Sequence, residues 1–294
     1  MAASETHLLI STASRHGRQS LATINKALTQ QGITVQKTHA LTRRDSMATI
    51  CRRIKRAKPA LLIVAGGDGT VSSTLHYLAD SPIEVGIIPL GTTNNFARSI
   101  NVSADIVEAV GSIAQAPARP VDLGRIGAQR FANVAGVGLS ARIAQQVNDK
   151  SKRRFGRFAY SIIGLRELLV HKPFTATIQD PQKGLLLHFE THQLIIANGR
   201  YHAGQKIAKD AKLNNHELLI FALGGRRRLS LVWAMLDFYI GGRRRVAHAS
   251  YVIGKDFELI TSTPQPVEID GEVSSHTPSQ IAVVPNAIKV RYSL

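Results

Sequence analysis

Apolar and polar positions follow two different rhythms along this chain, and the change from one to the other divides it. Within residues 1–120, short apolar runs at 7–12, 34–36, 60–65 and 85–88 read as strands. Between them, apolar positions recur at helical spacing over 18–30, 45–55, 70–78 and 104–115. Strands alternating with helices predict a parallel sheet with crossover helices. Pro117 and Pro120 flank the exit from the last helix, which sets a boundary near Asp122. Beyond it the strand signals cluster at 174–179, 185–189, 192–197, 218–223 and repeatedly from 250 onward. Helical spacing interrupts them at 142–147, 158–170 and 229–240, and the composition predicts an antiparallel sandwich. The expected fold class is therefore α/β in two domains: a Rossmann-like parallel domain over 1–122 and a β-rich sandwich from 123 to about 285.

Two of the predicted strands end in glycine-rich turns that lead into helices. The first carries Gly66, Gly67, Asp68, Gly69 and Thr70; the second carries Pro89, Leu90, Gly91, Thr92, Thr93, Asn94 and Asn95. Glycine lets backbone N–H groups approach a ligand closely, and Thr70 can open the following helix, so an anion such as phosphate fits there. Asp68 adds a handle for a metal or a proton. Neither loop has the GxxxxGK[ST] or GxGxxG spacing of the better-known phosphate motifs. In a parallel sheet both turns lie at the carboxyl ends of their strands, where ligands of open α/β sheets collect.

Charge narrows the partners. Lys and Arg number 37 against 20 Asp and Glu, a formal net charge of +17, which favours a polyanion: nucleotide, nucleic acid or anionic membrane. Aromatic residues make up only 5% and form no RNP-like run, which argues against nucleic acid. The amino terminus is polar and shows no secretory signal, and no apolar stretch reaches the ~20 residues of a membrane span, so a cytoplasmic protein is expected. The single cysteine, Cys51, shares helical spacing with Met47, Ile50 and Ile54 and reads as a core residue. The 11 histidines show no metal-binding spacing.

Five stretches stand in an order that resembles the soluble diacylglycerol kinase and bacterial lipid kinase family, which shares its fold with NAD kinases. They are GGDGT at 66–70, PLGTTNNFA at 89–97, NVAGVG at 133–138, the 197–213 stretch from ANGRYHAGQ to DAKL, and IDGE at 269–272. The resemblance spans nearly the whole chain. It implies an active site in the cleft between the two domains and the return of the last strand, about 286–294, to the first domain. It also implies an ATP-dependent, Mg²⁺-requiring transfer of phosphate to the hydroxyl of diacylglycerol or a related lipid, within phospholipid biosynthesis.

Such a transfer needs a nucleotide cradle, a divalent ion on the phosphates and a carboxylate near the acceptor hydroxyl. By the resemblance, Gly66, Gly67, Gly69, Thr70 and Thr92 hold the nucleotide, Ser14 and Arg15 touch phosphate from the first loop, and Thr42 lies near ATP. Glu272 falls on the family's proton acceptor, while Asp68 and Asp122 match its carboxylates in the metal and water network. Lys212, Asn215 and Glu217 map onto a structural Mg²⁺ site. There Asn215 and His216 replace the family's Asp-Gly, and Asn95 replaces another aspartate, so a weaker metal site or none is expected.

The segment 229–240 is apolar around its circumference and bracketed by arginine triplets at 226–228 and 243–245. It reads either as a helix resting in the headgroup layer of an anionic membrane or as one buried against the β-rich domain. Peripheral membrane contact with a lipid substrate is expected, and an oligomer is left open. The rival readings are an NAD kinase-like enzyme, whose substrate motifs are not found here, and a catalytically degenerate nucleotide- or membrane-binding protein.

Overall fold

The computed structural model describes residues 5–12, 15–42, 44–146, 159–181, 184, 186–199, 201–202, 205–206, 213–223, 251–269 and 272–293. The amino-terminal part runs β1 (Thr6–Ser11), α1 (Arg15–Gln30), β2 (Lys37–Leu41), α2 (Met47–Ala57), β3 (Leu61–Gly66), α3 (Asp68–Leu78), β4 (Glu84–Pro89), α4 (Asn95–Ser99) and α5 (Ile106–Gln115). Its four strands pair in parallel in the order β2-β1-β3-β4. Strands β1 and β3 are apolar on both faces because helices cover both. Leu8, Ile10, Ile63 and Ala65 pack with Ile24 and Leu28 of α1 and Val110 and Ile113 of α5. On the other face Leu9, Leu62 and Val64 pack with Ile54 of α2 and Leu75 of α3. Each such fully buried leucine or isoleucine contributes about 1.5–3 kcal/mol.

The carboxyl-terminal part follows as β5 (Ala118–Ile126), β6 (Gln129–Phe131), β7 (Val134–Gly138), α6 (Leu139–Gln146), α7 (Ala159–Val170), β8 (Phe174–Gln179), β9 (Leu186–Thr191) and β10 (Gln193–Ala197). Next come the short pair β11 (Tyr201–His202) and β12 (Gln205–Lys206), then β13 (Leu218–Leu223), β14 (Tyr251–Gly254), β15 (Asp256–Thr261), β16 (Pro266–Ile269), β17 (Glu272–His276) and β18 (Ser279–Arg291). An antiparallel sheet of order β14-β13-β10-β7-β16-β17 faces β15, β8 and β9, and the sandwich core lies between them. Phe131, Phe174, Ile178, Phe257 and Leu259 meet Val137, Leu194, Ile196, Ile220 and Val267 there.

The long strand β18 joins the two parts. It pairs in parallel with β4 through Lys289 and Val290, and antiparallel with both β5 and β15. One continuous sheet therefore runs from the amino-terminal half into the sandwich half. Asp122, read as the boundary, stands within β5.

Other elements differ from the reading by sequence in ways that have a physical cause. Strand β2 lies at Lys37–Leu41, beyond the expected 34–36, because it is an exposed edge strand whose KTHAL sequence buries no residue fully. Helix α3 begins at Asp68, with Gly67 as its cap residue, so Thr70 sits within the first turn and does not open the helix. Cys51 is 1% exposed in α2, and burial pushes its thiol up to about 12. That thiol stays protonated at neutral pH, as befits a core residue. Segment 229–240 lies outside the described residues. Among the described residues no helix is long and apolar enough to cross a membrane.

Candidate functional site

Gly66 closes β3 and Gly67 caps α3, which places Asp68 at the first position of that helix. A carboxylate at a helix N-terminus is stabilised by the uncompensated N–H dipoles there, and those same groups attract phosphate. Glycine at the cap brings no side chain to cover them. The second loop leaves β4, and Leu90, just past its end, donates its N–H to Gly66 O at 2.9 Å. Asn94 takes the left-handed conformation, with φ 46°, and folds the loop back on itself. Gly91 N–H donates to Asn94 Oδ1 at 2.9 Å and Asn94 Nδ2 donates to Gly91 O at 2.8 Å, a closed ring of two bonds.

The two glycine loops touch. A Cβ on Gly91 would stand 2.8 Å from Gly67 Cα and 2.8 Å from Asn94 Oδ1, so only glycine permits the approach. Asp68 locks it: Thr93 Oγ1 donates to Asp68 Oδ2 at 2.6 Å, and Phe96 N–H reaches Oδ1 at 3.5 Å. The carboxylate thus joins the start of α3 to the start of α4. Gly91→Ala should cost about 1–3 kcal/mol through overpacking and weaken nucleotide binding. Thermal denaturation combined with calorimetric ATP titration checks both, and unchanged affinity would break the link between loop contact and binding.

From α4 the polar contacts continue into the second domain. Ser99 Oγ, which donates to Asn95 O at 2.9 Å, lies 3.4 Å from Asn133 Oδ1, and Asn133 O accepts from the N–H groups of Asn198 at 2.9 Å and Gly199 at 3.2 Å. Asn133 immediately precedes β7, whose Ala135 pairs with Ile269 of β16; Ile269 in turn pairs with Glu272 of β17. The hairpin bearing Glu272 therefore turns at the end of β7 that is tied to α4. The backbone of Glu272 is described; its side chain lies outside the described residues, as do Ser14, Lys212 and the side chain of Arg15.

The remaining expected residues fall as follows. Gly66 is buried, Gly67 and Thr70 are half-buried, and Gly69 and Thr92 are exposed. Thr93, next to the expected Thr92, is the threonine that bonds Asp68. Thr42 donates through its N–H and its hydroxyl to Asp45 Oδ2, and those two bonds hold the Asp45 carboxyl below its ordinary pKa. Thr42 thus shapes the turn into α2.

Asp122, expected in the metal and water network, accepts hydrogen bonds from the chain on both oxygens. It is 1% exposed and accepts from His216 N–H at 2.8 Å, from His216 Nδ1 at 3.0 and 3.1 Å and from Asn286 N–H at 2.9 Å. Asn286 has φ 51° and sits where the pairing of β18 with β5 shifts register, a bulge that aims its N–H inward. Asn198 Nδ2 clasps the same region, donating to Asp122 O at 2.8 Å and Ala132 O at 2.9 Å. The roles of Asn133, Asn198 and His216 were not visible in the sequence, since each depends on a partner distant along the chain; that of Asn94 rests on its left-handed backbone, which spacing does not reveal.

Comparison with known proteins agrees with this architecture. The family described as "Diacylglycerol kinase catalytic domain" matches residues 8–126. The family described as "YegS C-terminal NAD kinase beta sandwich-like domain" matches residues 133–292. A Staphylococcus aureus (strain Newman) protein named "Putative lipid kinase" is 29% identical over 257 residues, covering 82% of this chain and 81% of the relative. The crystal structure titled as that of "a putative diacylglycerol kinase" from Bacillus anthracis superposes with a TM-score of 0.78 at 25% identity, covering 99% of this chain and 95% of the other. A second Bacillus anthracis structure, titled as a diacylglycerol kinase, has a TM-score of 0.77 at 24% identity, over 100% of this chain and 98% of that one, and supports the fold.

Proposed function

Because the chain belongs to the family that joins a diacylglycerol kinase catalytic domain to a YegS-type β-sandwich domain, we propose that it transfers the γ-phosphate of ATP to the hydroxyl of diacylglycerol or a related lipid. Family membership makes it a phosphotransferase of the kinase class with a nucleotide co-substrate. The observation that carries the finer reading is the Asp68 junction, where one carboxylate joins two touching glycine loops at the N-termini of α3 and α4. Such a junction suits the triphosphate of a nucleotide that enters as its magnesium complex. Backbone N–H groups of the loops would hold phosphate oxygens, and Asp68 would offer its carboxylate to the cation carried with them. The acceptor hydroxyl attacks the γ-phosphorus, ADP leaves, and the hydroxyl proton passes to Glu272 on its hairpin.

A panel of acceptors offered with γ-labelled ATP tests the reading: diacylglycerol in mixed micelles, a sphingoid base and NAD. Label in diacylglycerol supports it. Label in NAD alone, or nucleotide binding without transfer to any acceptor, overturns it.

A lipid acceptor requires access to a membrane, and α7 supports that requirement. Its burial is inverted for a water-facing helix: Glu167 is 4% exposed, whereas Leu165 and Leu169 are 62% and 63% exposed and Val170 54%. Leu165 and Leu169 lie one turn apart and form an apolar ridge beside Arg166. The net charge of +17 complements an anionic surface. Substituting both leucines by glutamate should reduce co-sedimentation with anionic vesicles at least tenfold, since burying each leucine is worth about 1.5–3 kcal/mol. Transfer to a short-chain, water-soluble diacylglycerol should be unchanged. Undiminished sedimentation would remove α7 from the membrane contact.

A further inference from the structure

The residues that map onto the family's structural Mg²⁺ site do not fit that ion in this chain. Magnesium demands near-octahedral oxygen ligation at about 2.0–2.1 Å and favours carboxylate donors. At this turn Asn215 supplies a neutral amide, whose Nδ2 lies 3.4 Å from Glu217 Oε2. The nearby Asp122 carboxylate is already surrounded by N–H donors.

We propose that His216 takes the place of that cation, so that the turn 213–217 is fastened to the interdomain sheet by an imidazole–carboxylate clasp without magnesium. His216 stands at φ 57°, a conformation that glycine adopts freely and histidine does not. The side chain is therefore held there against the local preference. The ring supplies the compensation: its Nδ1 lies 3.0 and 3.1 Å from the two oxygens of Asp122, and its backbone N–H donates to one of them. A carboxylate can only accept, so Nδ1 carries the hydrogen in this contact.

The clasp is closed on three further sides. Asp122 N–H donates to Leu213 O at 2.7 Å, fixing the start of the turn. Asn286 N–H brings in the bulge of β18. Asn198 Nδ2 holds the carbonyls of Asp122 and Ala132 together at the end of β10. The turn, β5, the end of β10 and β18 thus meet at one buried residue, Asp122, whose carboxylate takes His216 and Asn286 and whose backbone takes Leu213 and Asn198. A divalent ion bridging a carboxylate to turn carbonyls would do the same mechanical work, and here the donors belong to the chain. Asn215 Oδ1 is buried without a hydrogen-bond partner, but it offers a neutral amide oxygen where Mg²⁺ favours a carboxylate.

The test uses the full chain without nucleotide, so that magnesium bound to ATP plays no part. Thermal midpoints are measured in excess EDTA and in millimolar MgCl₂. The two midpoints are expected to coincide for the natural chain. His216→Gly should lower the midpoint by about 2–8 °C in both conditions, taking the usual shifts for a chain of this size. The double variant Asn215→Asp with His216→Gly, which restores the family's acidic pattern, should regain stability in magnesium and lose it in EDTA. A natural chain that melts earlier in EDTA overturns the proposal. So does a His216→Gly chain as stable as its parent, or a double variant indifferent to magnesium.

Discussion

Replacing Asp68 by asparagine should lower kcat by about 10²–10³-fold, the usual cost of removing one preorganised electrostatic partner from a reacting centre. The amide oxygen of asparagine can still accept from Thr93 Oγ1, so the join between the loops survives in part. What disappears is the negative charge at the head of α3, where the magnesium carried by the nucleotide would find it. The fold should persist: Asp68 is half-buried at the loop surface, and the adjoining core of Leu62, Val64, Val71 and Leu75 is untouched. Steady-state turnover alongside a thermal melt separates the two effects. Near-normal turnover would remove Asp68 from the chemistry, and a collapsed melt would make it a structural residue.

Glu272→Gln is expected to reduce kcat by about 10²–10⁴-fold, the range that general acid–base catalysis contributes. Here the affinity for ATP should hold, because nucleotide binding is assigned to the glycine loops of the other domain. That split distinguishes a proton acceptor from a residue that merely supports the hairpin. A parallel loss of ATP affinity would contradict the division of labour between the domains. Full turnover in the glutamine variant would move the base elsewhere.

The parts of the fold visible in the sequence were those built from buried strands and amphipathic helices. Leu61–Gly66, Phe174–Gln179 and Leu218–Leu223 announce themselves because apolar residues dominate and burial leaves little alternative. Strand β5 escaped because Pro117 and Pro120 read as punctuation. In the structure Pro120 pairs with Lys289 on one side, while the short β6 reaches only Gly124 to Ile126 on the other, so the missing proline N–H costs no ladder bond. The division into two parts was legible as a change of rhythm. The return of the last strand to the first domain followed from the resemblance and is seen in the pairing of β18 with β4; that the same strand also pairs with β15, making one sheet across the division, is a tertiary choice no local pattern shows.

The site was legible to the same degree. Glycine spacing and one aspartate located the loops, because close backbone approach leaves a compositional trace in GGDGT and PLGTT. The bond of Thr93 to Asp68 could not be read from spacing: the left-handed turn at Asn94 decides which hydroxyl meets that carboxylate. Asp122 reads in sequence as one more carboxylate near a strand end. Its partners lie 94 and 164 residues away, at His216 and Asn286, and no local pattern joins them.

The most direct measurement supplies γ-labelled ATP, magnesium and diacylglycerol micelles to the purified chain and follows the label into the organic phase. Time-dependent appearance of the label in a lipid phosphomonoester, abolished in both Asp68→Asn and Glu272→Gln, is the predicted result. Label that stays in ATP, or is released only as inorganic phosphate while the lipid remains unlabelled, would contradict a kinase whose two domains meet over a lipid hydroxyl.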